Sequence, residues 1–193
     1  MKIGVLALQG AFREHIQVLN TLGCKAIEIK KSEQLDEING LIIPGGESTT
    51  IGRLMNVYQL FDKIVSKANG GMPVFGTCAG CVILAKDIEN SAQPRLGLMD
   101  ITVTRNAFGR QVDSFEADLN IPELGENPFK GVFIRAPIIK RVESNVEVMA
   151  KIAGNIVMVR QDNLMACSFH PELTLDKRIH QYFLNMVIKA MNN

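Results

Sequence analysis

The stretch Pro73-Val74-Phe75-Gly76-Thr77-Cys78-Ala79-Gly80 decides how the rest of the chain is read. It reads as a short buried strand, then a cysteine between two glycines, then an amphipathic helical run from Cys81 to Ile88. A nucleophile elbow needs a strand that stops abruptly and a helix that starts at once, so that the nucleophile sits in a strained turn at the sheet's edge. Gly76 and Gly80 lack a Cβ and let the flanking backbone come close. Cys78 would then stand at a helix N-terminus, where unpaired N–H groups and the helix dipole favour a negatively charged sulfur.

Upstream of this stretch, strand and helix patterns alternate. Lys2 to Leu8 is a continuous apolar run, as expected of a strand covered on both faces. Phe12, Ile16, Leu19 and Gly23 recur at helical spacing, and Lys25 to Lys30 alternates like a strand. Gly40-Leu41-Ile42-Ile43 is another short strand, ended by Pro44-Gly45-Gly46, and Ser48, Thr49 and Thr50 offer N-cap side chains for the helix after it. A further helix reaches Ala68 and is broken by Asn69-Gly70-Gly71. This order predicts a parallel sheet with helices on both faces. Downstream, the segments at 101–104, 115–119, 132–135, 146–152, 156–160 and 164–169 are short and strand-like. Those from Val146 to Phe169 read as a meander, with turns at Gly154-Asn155 and Asp162-Asn163. A last helix from near Asp176 is expected to bury Ile179, Phe183, Met186, Val187 and Ala190. Nothing in the sequence marks a linker or repeat, so one domain over 1–193 is expected.

The chain has 193 residues, enough for a sizeable core. Twenty-one Lys and Arg against twenty Asp and Glu give no electrostatic case for nucleic acid or an anionic membrane as partner. No apolar run approaches the length of a bilayer span, and the N-terminus lacks the basic region of a signal peptide. Four cysteines (Cys24, Cys78, Cys81, Cys167) are sparse for a disulfide scaffold, so free thiols in a reducing cytoplasm are expected.

The nucleophile needs a base. Of the three histidines, His15 lies in a helix beside Arg13 and Glu14, and His180 on the polar side of the last helix; both are expected to be solvated. His170 instead ends an apolar strand and is followed by Pro171-Glu172. In an open parallel sheet, ligands bind outside the carboxyl ends of strands, where Cys78 and His170 both fall. If 170–172 is extended, His170 and Glu172 point to one side, and the carboxylate can fix the imidazole's tautomer. On spacing alone, His170 capping a strand is an equally good reading. Gly45-Gly46, at another strand end, can expose N–H groups to an oxyanion or be an ordinary tight turn. Arg105 and Arg135 lie near strand ends, where a guanidinium could clamp a carboxylate. Cys78-Ala79-Gly80-Cys81 is also a C-x-x-C, which keeps a redox pair open, whereas a zinc set is incomplete.

Taken together, Gly76-Thr77-Cys78-Ala79-Gly80 and His170-Pro171-Glu172 resemble the class I (triad) glutamine amidotransferases. More specific matches are Leu8-Gln9-Gly10-Ala11 with Arg13-Glu14-His15, Pro44-Gly45-Gly46-Glu47-Ser48-Thr49-Thr50 and Phe133-Ile134-Arg135-Ala136-Pro137. To these is added Arg105-Asn106-Ala107-Phe108-Gly109-Arg110-Gln111-Val112-Asp113-Ser114-Phe115-Glu116. Over essentially its whole length the chain resembles the family of glutaminase subunits of pyridoxal 5'-phosphate synthase. The resemblance implies a flavodoxin-like, three-layer α/β/α fold with a mostly parallel central sheet and a strand-rich C-terminal half. It implies glutamine hydrolysis by Cys78, His170 and Glu172, with oxyanion donors at Gly46 and Ala79. Gly46, Glu47, Ser48, Arg105, Ile134 and Arg135 would bind L-glutamine, the arginines at its α-carboxylate and Glu47 at its ammonium. Ammonia would pass to a barrel-shaped synthase subunit as partner, with no metal or cofactor. Cys81 departs from the expected aliphatic residue and reads as core.

Overall fold

The computed structural model describes residues 1–105 and 114–192, so the 106–113 part of the block that starts at Arg105 lies outside the described residues. The first half of the chain winds β1 (Lys2–Leu6), α1 (Phe12–Thr21), β2 (Lys25–Ile29), β3 (Gly40–Ile43), α2 (Ser48–Val57), α3 (Phe61–Asn69), β4 (Val74–Thr77) and α4 (Ala79–Leu84). The second half holds β5 (Ala85–Ile88), β6 (Met99–Thr104), β7 (Ser114–Leu119), β8 (Phe129–Ile134), β9 (Ile138–Val142), β10 (Glu147–Ile152), β11 (Asn155–Gln161), β12 (Leu164–Cys167) and α5 (Arg178–Met191).

Strands β2-β1-β3-β4-β12 lie side by side and all parallel. The sheet continues antiparallel through β11, β9 and β6, with β10 also on β11 and β5 parallel on β6 at the far edge, ten strands among the described residues; β7 and β8 form a separate hairpin sheet. The meander expected at β10–β11–β12 is present. Every residue of β3, β4 and β12 is buried, because helices cover both faces of the parallel part. The two-residue period of the strands sorts their side chains into two cores. Leu41, Ile43, Val74 and Ala166 pack with Ile51 and Met55 of α2, Ile64 of α3 and Val82 of α4. Ile42, Phe75, Met165 and Cys167 pack on the other face with Leu19 of α1 and Phe183 and Val187 of α5. The result is the expected three-layer α/β/α architecture. Among the described residues, no helix is long and apolar enough to cross a membrane.

Four local expectations change. The helix after Cys78 stops at Leu84 and all six of its residues are buried, so it is not amphipathic; Ala85–Ile88 turns outward to pair with β6. Strand β9 has no counterpart in the sequence reading. The N-cap of α2 is Glu47 rather than Ser48, Thr49 or Thr50, its carboxylate accepting from the backbone N–H groups of Thr49 and Thr50. In α5 the buried stripe is Ile179, His180, Phe183, Leu184 and Val187, while Ala190 faces solvent and Met186 is half-buried.

Register positions the site. Parallel pairing sets Ile43 beside Gly76 and Thr77 beside Cys167, so β3, β4 and β12 end together. Gly45-Gly46, Cys78 and His170 follow those ends by one to three residues and converge on one edge.

Candidate active site

Cys78 sits between β4 and α4 with φ +48° and ψ −102°, a left-handed conformation that costs a non-glycine residue about 1–3 kcal/mol. Its N–H donates to the Cys167 carbonyl at 2.8 Å, which ties the turn to β12. The helix can begin at once because Gly80 has no side chain: a Cβ there would lie 2.0 Å from the Ile43 carbonyl oxygen. The Cys78 thiol faces the Ile134 carbonyl at the end of β8, 3.8 Å away.

His170 leaves β12 and is pinned to the small sheet by its N–H, which donates to the Val132 carbonyl at 2.8 Å. The segment after it is a 3₁₀ turn over Pro171–Leu173 rather than the extended strand expected. The two side chains meet all the same: His170 Nδ1 is 2.7 Å from Glu172 Oε1. Both are buried, Glu172 completely at its side chain. Burial alone would lower the His170 pKa; hydrogen bonds to Cys78 and Glu172, with their charges, outweigh it and raise it to about 10. For Glu172, burial pushes the carboxyl up, but the flanking His15 and His170 prevail and hold it below the ordinary carboxylate range. The arrangement is a sulfur nucleophile beside a protonatable imidazole backed by a carboxylate, suited to nucleophilic attack on an acyl carbon.

A cleft of about 270 Å³ opens over the sulfur, lined by Gly46, Glu47, Ser48, Ala79, Arg105, Ile134, Arg135 and His170 among others. All the sequence-derived candidates meet here except Glu172, which lies behind His170. A wider cleft of about 810 Å³ near Asn39, Pro73 and Asn163 holds no cysteine or histidine. In the small cleft, Arg105 is pre-oriented: its guanidinium donates to Gln93 Oε1 at 2.8 Å, to Thr49 Oγ1 at 3.2 Å and to Glu47 Oε1 at 3.2 Å. Glu47 is thereby engaged twice, as helix cap and as partner of Arg105; burial pushes its carboxyl up, but hydrogen bonds from the Thr50 hydroxyl and the Thr49 and Thr50 N–H groups outweigh it and bring its pKa down to about 2. Its carboxylate is no free receptor for an ammonium group. Arg135 is exposed and holds φ +43° at the cleft rim.

Cys81 is fully buried in α4, and burial drives its thiol far up, so it is core rather than half of an accessible redox pair. The sequence reading missed Gln93, a loop residue whose role in seating Arg105 and Ser48 has no local signature, and Gln9, whose Oε1 accepts from the Glu47 N–H at 2.8 Å. It was wrong about His15 and His180. Both are fully buried behind Glu172, His15 on α1 and His180 on α5, their ring centroids 5.1 Å apart and the rings tilted by 52°. The spacing 180-183-184-187, an unbroken helical stripe with one histidine in it, was the available signal.

Residues 5–189 match the SNO glutamine amidotransferase family. The pyridoxal 5'-phosphate synthase subunit PdxT of Moorella thermoacetica is 63% identical over 187 residues, which cover 97% of this chain and all of that protein. The protein of the same name from Pelotomaculum thermopropionicum is 59% identical over 193 residues, 100% of this chain and 98% of its own. A crystal structure described as a glutamine amidotransferase superimposes with TM-score 0.92 at 51% identity, over 96% of this chain and 98% of that one. With a strand-to-helix cysteine, a buried His-Glu pair and full-length similarity of this kind, the chain belongs to the SNO glutamine amidotransferase family.

Proposed function

We propose that this chain, as a single domain over 1–193, is the glutaminase subunit of a pyridoxal 5'-phosphate synthase, hydrolysing L-glutamine to glutamate and ammonia. The observation that carries this reading is the strained Cys78 beside a His170 whose Nδ1 is 2.7 Å from the buried Glu172. The synthase role is supported by the name of the full-length relatives.

The Cys78 sulfur bonds to the side-chain amide carbon of glutamine while its proton resides on His170. The oxyanion of the tetrahedral adduct takes hydrogen bonds from the N–H groups of Gly46 and Ala79. The C–N bond breaks, His170 gives its proton to the departing ammonia, and a glutamyl thioester remains. His170 then takes a proton from water, the hydroxide adds to the thioester, and the sulfur leaves to release glutamate. Glu172 keeps the imidazole oriented and stabilises its cation. Arg105 and Arg135 suit the substrate's α-carboxylate, with Gly46, Glu47, Ser48 and Ile134 completing the walls. These steps need no metal or cofactor. Ammonia passes to the barrel subunit of the synthase, and four buried free thiols suit a cytoplasmic setting.

The test is Cys78→Ala assayed with the synthase subunit. Glutamate release should disappear while the two chains still associate; normal turnover by this variant would sink the reading.

A further inference from the structure

A line of buried polar side chains continues behind Glu172. His15 of α1 and His180 of α5 are 165 residues apart in sequence, yet His15 Nδ1 lies 2.9 Å from His180 Nε2. His15 Nε2 lies 3.2 Å from Thr77 Oγ1 and 3.3 Å from Glu172 Oε2. One ring thus touches both the residue before the nucleophile and the carboxylate behind the base.

The proton positions follow. An ionised carboxylate oxygen only accepts, so a bare nitrogen lone pair facing Glu172 Oε2 would be repelled, and His15 Nε2 carries the proton. Burial lowers the pKa of His15 and takes that of His180 down to about 3, so both rings are neutral with one N–H each. His15 Nδ1 is then the acceptor and His180 Nε2–H its donor. His180 Nδ1 is left as the bare nitrogen, and among the described residues it has no hydrogen-bond partner. An orphaned acceptor is tolerated better than an orphaned N–H.

Glu172 gives this chain a purpose. Its Oε1 serves His170, whereas Oε2 is buried and, among the described residues, accepts no hydrogen bond: His15 Nε2 is 3.3 Å away, but its N–H is directed at Thr77. A buried carboxylate with one oxygen uncompensated is poorly held as an anion. We propose that His15, seated by His180, is a positioning residue for the reaction: its Nε2–H, hydrogen-bonded to Thr77 and 3.3 Å from Glu172 Oε2, sets a favourable dipole against that unpaired oxygen and keeps the carboxylate ionised and aligned with His170. The inference rests on the glutaminase reading above. Groups facing Glu172 are His170 from its own turn, His15 from α1, His180 from α5 and Cys167 from β12; Cys78 acts on His170 and Glu14 on His15.

The experiment measures glutamate release by the complex with the synthase subunit, across pH, with urea midpoints for every variant. His15→Phe fills the space without an N–H, and His15→Gln keeps a donor near the place of Nε2. His15→Phe should lower kcat about ten- to a hundredfold with KM for glutamine unchanged. The acidic limb of its kcat/KM profile should move to higher pH, since Glu172 then protonates more readily. His15→Gln should recover most of the rate and return the limb. His180→Phe should lose less, and adding it to His15→Phe should cost little more, as for two links of one chain. A role in packing alone predicts equal losses for Phe and Gln at position 15, tracking the urea midpoint, with the limb unmoved, and that result overturns the proposal. If His15→Phe does not fold, His180→Phe decides: turnover within about twofold of wild type and an unmoved limb overturn it. A wild-type complex that releases no glutamate overturns the glutaminase reading itself, whereas an active wild type with unaffected variants overturns this inference alone.

Discussion

Replacing Glu47 with glutamine removes one charge from the mouth of the cleft and almost no volume. In the native protein Glu47 Oε1 accepts from the Thr49 N–H at 3.0 Å and Arg105 at 3.2 Å, while Oε2 accepts from the Thr50 N–H at 2.6 Å and its hydroxyl at 2.7 Å. A glutamine keeps one acceptor oxygen and loses the anion that Arg105 and the start of α2 require. The difference between an ordinary 4.5 and about 2 corresponds to roughly 3.4 kcal/mol, at about 1.36 kcal/mol per pKa unit. The Glu47 side chain is 48% exposed, and solvent screening reduces that to about 1–1.5 kcal/mol. An N-cap replacement independently costs about 0.5–2 kcal/mol. For a chain of this length the two agree on a melting point lower by about 2–6 °C at neutral pH. Because the folded-state pKa is depressed, the contribution is complete above about 4.5 and fades as pH falls toward about 2. Urea titrations of wild type and Glu47→Gln at pH 7, and at the lowest pH where both fold, should show a gap that narrows on acidification. Equal midpoints at pH 7, or a gap unchanged by acid, would refute the charged-cap account. A raised KM for glutamine with unchanged stability would return Glu47 to the role of ammonium receptor.

Other perturbations probe the turn and the cleft. Gly45→Ala would place a Cβ 2.3 Å from His170 Cε1 and 3.3 Å from Cys78 Cβ, so glutamate release should fall by about a hundredfold or more while the urea midpoint changes little. Activity within about tenfold of wild type would show that the imidazole can stand elsewhere. Gly80→Ala drives a Cβ against the Ile43 carbonyl at 2.0 Å, and because backbone must move, a loss of about 1–3 kcal/mol or failure to accumulate as folded protein is expected. A neutral urea midpoint would contradict the close packing of α4 on β3. Cys81→Ala should keep most of the glutaminase activity, since its sulfur is sealed in the core; its abolition, in a folded variant, would revive the redox reading.

Much of the architecture was legible in the chain because its signals are local. Predominantly apolar runs at β1, β3 and β4 separated by helical periodicity describe a covered parallel sheet, and Gly-x-Cys-x-Gly after a strand describes an elbow. Other features were not legible. Ala85–Ile88 continues the apolar run of α4 and becomes a strand only because β6 is there to pair with it. Glu47 sits next to three better-known capping residues, and its carboxylate also pairs with Arg105, 58 positions away. Gln93 looks like any polar loop residue until Arg105 and Ser48 are brought against it.

The sequence by itself determined the strand–helix alternation of its first half and hence a parallel sheet covered on both faces, the cysteine at a strained turn, the histidine and glutamate at another strand end, and the kinship to glutamine amidotransferases. These depend on short-range sterics and hydrogen bonding, which neighbouring residues carry wherever they are placed. Only the tertiary structure decided that His15 and His180 lie at the centre of the protein. A helix with polar neighbours offers more than one face to a core, and packing against distant elements selects which is buried. Here the docking of α1 and α5 on the same side of the sheet turned His15 inward onto Glu172 and His180 onto His15, a juxtaposition across 165 residues that no local spacing encodes.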